Sequence, residues 1–142
     1  MRMVVTVLAL GVVAGCATVP QLTAADLDAE ARGNMLGAQQ KFAGKMLVVR
    51  GVVKQTTLAT RERVEISRGW SAGPASAVNR EEQVPLVVLQ PGSVLCYFEP
   101  EAIGDAASLH EGDAVAFECQ VQYFKQMETL AVSTLAGCRA FK

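Results

Sequence analysis

Few side chains in this 142-residue chain could do chemistry: four cysteines, one histidine, scattered carboxylates, and arginines lying near aromatic residues. His110 stands beside Glu111, an arrangement in which a carboxylate could orient an imidazole base. A His-Glu-Gly-Asp run before a strand reads more plainly as a solvated turn. No serine, cysteine or lysine is tied to His110 by a spacing that would pair a nucleophile with its base. Cys96, Cys119 and Cys138 contain no Cys-x-x-Cys arrangement, so the usual zinc pattern is missing. The glycines are isolated and build no phosphate-cradling loop. The expectation is a non-enzyme with no catalytic residue, no metal and no cofactor.

Cys16 is the exception, because its chemistry is set by what precedes it. Arg2 gives a short basic start, Met3 to Val13 is almost unbroken apolar sequence, and small residues lead into the cysteine. That is the layout of a secretory signal, and the run is shorter than the roughly 20 residues of a membrane span. Val13-Ala14-Gly15-Cys16 resembles the lipobox of bacterial lipoproteins, in which the cysteine thiol is acylated before cleavage. The expected division is a signal peptide over 1–15, a lipidated tether over 16–22 and one folded domain over 23–142. Ala17, not aspartate, follows the cysteine, which by analogy with lipoprotein sorting points to the outer membrane, facing the periplasm.

Charge limits the partners. The chain carries 13 cationic and 14 acidic side chains, and losing Arg2 with the signal makes the remainder slightly more acidic. No basic excess draws it to a polyanion. With Cys16 given to lipid in an oxidising compartment, three cysteines remain, enough for one internal disulfide and one spare thiol.

The elements that must position these residues follow from periodicity. Thr23-x-x-Asp26 has capping-box spacing and opens a helix in which Leu27, Ala31, Met35, Ala38 and Phe42 form one apolar stripe, with Asn34 beside it, ending at Gly44. Met46 to Lys54 is β-branched and reads as a strand bent at Gly51. Residues 55–83 read as a long irregular insertion. Strands over 85–89 and 94–98 form a hairpin around Pro91-Gly92. A short helix from Pro100 to about Ala107 turns Ile103 and Leu109 inward. Val115, Phe117, Cys119, Val121 and Tyr123 then alternate along a strand, and after a turn near residues 125–127 a last strand follows.

Five strands, with a helix before the first and another between the third and fourth, is the element order of an OB-fold, a five-stranded Greek-key barrel. The residues also resemble a family: Phe42-x-Gly-Lys, then Val49-x-Gly-Val, Val94-x-Cys-Tyr-Phe, Leu109-x-x-Gly-Asp-x-Val, Cys119, and a late Leu135-x-x-Cys. This is similar to the tRNA_anti-like group of OB-fold lipoproteins, from Thr23 to the end apart from residues 55–83. The resemblance implies a fold and assigns no activity. The sequence departs from that pattern in its long first loop and in lacking a glycine after Cys119.

In an OB-fold the third and fifth strands are neighbours, and a turn near Gln126 would set Cys119 opposite Ser133, so the expected disulfide is Cys96–Cys138. Leu95 and Tyr97 should point outward, onto the face where OB-folds hold ligands. Trp70, Arg61, Arg63 and Arg68 in the first loop, and Phe124 beside Lys125, could rim that face and stack on sugars or bases. The plainer reading folds Trp70 over the barrel mouth and pairs Arg61 and Arg63 with Glu62 and Glu65. The function expected is a lipid-anchored binding or scaffold module for a peptide, a protein partner or a glycan. Its alternative is a nucleic-acid-binding OB-fold.

Overall fold

The computed structural model describes residues 19–67 and 76–141, and the side chains of these except over 63–67 and 76–79. Residues 1–18, which hold the expected signal and Cys16, lie outside the described residues, as do Arg68, Trp70 and the side chain of Arg63.

Elements run in the order β1 (Gln21–Thr23), α1 (Ala24–Gly33), α2 (Met35–Phe42), β2 (Met46–Ser67), β3 (Ser76–Gln90) and β4 (Ser93–Phe98). A 3-10 turn (Pro100–Ala102), α3 (Ile103–Ala107), β5 (Ala114–Met127) and β6 (Leu130–Ala140) complete the chain. All six strands join one mixed sheet in the order β1-β2-β3-β4-β6-β5, and β5 also pairs with β2, so the hydrogen bonding runs round a ring. The β4–β6 ladder is parallel, with α3 and β5 lying between those two strands in sequence. The sixth strand, β1, falls where the sequence reads as tether; it pairs parallel with β2, Gln21 opposite Val48.

The capping box at Thr23 is present. The Asp26 N–H donates to Thr23 Oγ1 at 3.1 Å, and the Thr23 N–H donates to Asp26 Oδ2 at 3.3 Å. The single helix expected after it is two helices, because Asn34 leaves helical geometry (φ −157°, ψ 89°) and its side-chain oxygen accepts the Gly37 N–H at 2.9 Å. An asparagine amide competes for backbone hydrogen bonds, so it caps better than it continues. The apolar stripe nevertheless packs as expected, with Leu27, Ala31, Ala38 and Phe42 buried.

Inside the ring, Val49, Val53, Val87, Leu89, Val94, Cys96, Phe98, Phe117 and Leu135 share one core. Phe98 and Phe117 meet edge to face at 4.9 Å, the arrangement ring quadrupoles favour. At the β3–β4 turn Gly92 has φ +85°, and a Cβ there would lie 2.5 Å from Asp28 Cγ, so both the turn and the seating of α1 need glycine.

Three expectations are corrected. Residues 55–83 are not an irregular insertion: β2 and β3 pair continuously from Val52–Gln90 out to Ser67–Ser76, apart from one bulge at Val53 to Gln55. Ile103 is exposed, while Leu109 packs on the core. The disulfide joins Cys119 to Cys138, with Cα atoms 4.3 Å apart, and Cys96 is free and buried. The β5–β6 turn lies after Met127, which pairs with Leu130, a little later than the sequence placed it. Each residue of delay moves every cross-strand partner by two, carrying Cys138 to Cys119.

Replacing Cys119 and Cys138 together by alanine removes a crosslink spanning 19 residues. The expected loss is about 3 kcal/mol, read as a lower urea midpoint, whereas Cys96→Ala keeps the Cys119–Cys138 link in a non-reducing peptide map.

Candidate functional site

The outer face of the β3–β4 hairpin is built by alternation. β4 buries Val94, Cys96 and Phe98 and leaves Leu95 and Tyr97 partly exposed on the opposite side. Cross-strand register sets Val88 beside Leu95 and Leu86 beside Tyr97. Thr134 lies next to Leu95 on β6, and Tyr123 next to Thr134 on β5. One row, Val88-Leu95-Thr134-Tyr123, thus crosses four strands, with Leu86 and Tyr97 in the row beside it.

Tyr123 reaches this face because the β5–β6 register slips between Val121 and Tyr123. A bulge inverts the alternation beyond it. Tyr123 is therefore 49% exposed, and Phe124, expected to rim the ligand surface, is 8% exposed and packs on Phe42 with ring centroids 6.3 Å apart. The Phe124 N–H donates to Gln39 Oε1 at 3.0 Å, which ties that strand to α2. Phe124 is a core residue here, and Tyr123 takes the position proposed for it.

Arg61 lies at the upper end of the same face and is committed to carboxylates. Its Nη2 contacts Glu82 Oε2 at 3.1 Å and Glu99 Oε2 at 3.2 Å, and not the neighbouring Glu62. Glu99, then Glu82, favour its charged form and raise a pKa that is already high. Glu99 comes two residues after Tyr97, so strand alternation alone could have marked it as a neighbour. Glu82 faces Arg61 only because the hairpin is in register, Arg61 opposite Glu82. Within this cluster one guanidinium serves two carboxylates. Burial, then Tyr123, raises the Tyr97 hydroxyl above its ordinary value of 10.

A second recess was not expected from sequence. Thr56, Leu58 and Pro85 on the hairpin and Ile103, Ala106 and Ala107 on α3 line an apolar cleft of about 270 Å³. Leu58 and Ile103 are its exposed lips. The signal available was two large apolar residues, one on each element; the packing of α3 against β3 is what brings them together.

The remaining candidates are placed apart from this face. His110 is 83% exposed, its Nδ1 3.9 Å from Asp113 Oδ2, while its backbone N–H donates to the same carboxylate at 2.8 Å. That is the turn its sequence describes. Among the described residues, the sulfurs of Cys96, Cys119 and Cys138 lie within 4.8 Å of one another, all buried, with two of the three bonded together. Burial drives the Cys96 thiol far above the ordinary thiol range, so it is held as the neutral SH.

No family model and no curated protein matches the chain. Among solved structures, it is similar to the crystal structure of a Klebsiella pneumoniae protein provisionally described as a nucleic acid-binding lipoprotein. The two share 16% identity over 87% of this chain and 92% of that one, with a TM-score of 0.59. At that identity the likeness is one of fold.

Tyr97 gives this face a pH signature. Its folded-state pKa is raised, so the neutral phenol's contribution to stability is complete below pH 10 and is lost as pH climbs through the higher folded value. Urea unfolding between about pH 9 and 11 should show stability falling as pH rises, with a shallower fall in Tyr97→Phe. An unchanged slope would remove Tyr97 as its source.

Proposed function

We propose that this chain is an envelope lipoprotein, acylated at Cys16 and held at the outer membrane. Its ring-closed sheet is an OB-fold-like barrel that acts as a non-catalytic binding module for a peptide, a protein partner or a glycan. The strand order supports the OB-fold reading: counted from β2, the five ring strands run first, second, third, fifth, fourth and back to first. The brief sixth strand, β1, is an addition at the edge of β2.

The observation that carries the ligand class is the composition of the outer face. Leu86, Val88, Leu95, Tyr97 and Tyr123 supply apolar and aromatic surface, while Arg61, at its upper rim, is held by Glu82 and Glu99. Aromatic rings with carboxylates at the edge suit a sugar face or an apolar side chain with a cationic neighbour. Phosphate contacts are made by cations that are not already committed to carboxylates, and Arg61 is held by two. The nucleic-acid alternative draws on the Klebsiella protein's description, which belongs to a chain only 16% identical.

The test is recovery of partners from native membranes with the acylated protein, compared with Tyr97→Ala and Trp70→Ala. Loss of about 2 kcal/mol, or some thirtyfold in affinity, is expected for an aromatic hot spot, together with no retention of single-stranded DNA or RNA at moderate salt. Equal recovery by both folded variants would exclude this face. Salt-dependent retention of nucleic acid that Tyr97→Ala abolishes would establish the alternative.

A further inference from the structure

Only Ala17 and Thr18 separate Cys16 from Val19, the first described residue. Three Cα steps span at most about 11 Å, so a lipid on Cys16 holds the surface around Val19 and Pro20 at the bilayer. That surface is fixed to the sheet: the Val48 N–H donates to the Pro20 carbonyl at 2.9 Å, and β1 pairs along β2. Pro20 to Thr23 are thus part of the sheet's edge.

The chemistry found there is that of a membrane-contacting corner. Pro20, Leu22, Phe42 and Met46 line an apolar cleft of about 270 Å³, and Lys41 and Lys45 are also part of its wall. Met46 is 40% exposed and Val19 37%, both large apolar residues at this corner. Lys41 is paired with Glu30 at 3.2 Å, whereas Lys45, at the α2–β2 turn, has no ion-pair partner among the described residues.

We infer that the corner formed by Pro20, Lys41, Lys45 and Met46 is a docking surface for anionic phospholipid, with Lys45 meeting the headgroups and Met46 entering the interface. The inference rests on acylation at Cys16. The tether length brings this corner to the bilayer, and the unpaired lysine beside exposed apolar side chains is complementary to an anionic interface. A lipid anchor with a basic contact forms a two-part attachment, which fixes the orientation of the domain as well as its location.

The test uses the full-length acylated protein in vesicles of phosphatidylethanolamine and phosphatidylglycerol, in phosphatidylcholine vesicles and in detergent. Amine acetylation is read by mass spectrometry at each lysine. Lys45 should be labelled about fivefold more slowly in the anionic vesicles than in detergent, while Lys54, exposed elsewhere on β2, is unchanged. In Met46→Asp the Lys45 protection should shrink, and Lys45→Glu should abolish the difference between anionic and neutral vesicles in sedimentation after partial detergent extraction. Equal Lys45 labelling in all three settings, with the acyl mass present on Cys16, would overturn the docking surface alone. Absence of the acyl mass would overturn the anchor and this inference together.

Discussion

Seven residues of β2, Met46–Val52, pair antiparallel with Ala114–Gln120 of β5, and through this ladder a row of strands becomes a ring. Without it the sheet would have two long bare edges and no enclosed side for its valines. Closure forces one face of every ring strand inward, where Val49, Phe117 and Cys119 meet Leu135 and Phe98. It also decides which residues are outside. The Leu95 and Tyr97 face exists because their neighbours Val94, Cys96 and Phe98 are taken by the core. Helix α1 is seated by the same closure, since Gly51 lets Ala24 approach β2, and Gly92 leaves room for Asp28.

What could be read in the sequence was whatever depends on local rules. The Thr23 cap, the apolar stripe from Leu27 to Phe42, the Pro91-Gly92 hairpin and the inward Phe117, Cys119 and Val121 all follow from side chains a few residues apart. What could not be read depends on register, which is a property of two strands together. The disulfide partner turned on where the β5–β6 turn fell, and Tyr123 and Phe124 exchanged places because of a bulge that no residue type announced. The long hairpin was hidden for another reason: polar and charged strands that leave the core lack the apolar alternation by which strands are recognised. Of the candidate site, Tyr97 and Leu95 were legible by parity. Glu82 became visible only once the hairpin register was known.

The electrostatics of the outer face matter more than its cation count. Arg61 looked from sequence like a rim cation available to a ligand, yet its guanidinium bridges two strands, joining Glu82 of β3 to Glu99 just past β4. Exposed pairs of this kind contribute little stability one by one, about 0–1 kcal/mol each. Here their larger effect is to commit the cation: the Arg61 guanidinium is spent on holding the hairpin over β4. A ligand arriving at this face meets aromatic and apolar surface and a guanidinium that two carboxylates already occupy.

From Leu58–Pro85 to Ser67–Ser76 the β2–β3 hairpin continues for ten residue pairs beyond the strands it shares with the ring. At about 3.3 Å per residue this is an arm some 30 Å long, and neither of its strands has another partner among the described ladders. Bare edges of that length invite another molecule to add as a strand. The sequence there runs Arg61, Glu62, Arg63 and Glu65 on one side and Arg80, Glu81 and Glu82 on the other. A second chain laid along either edge would have to desolvate those charges. Charge along the strands, and not shortness, is what guards the edges of this arm.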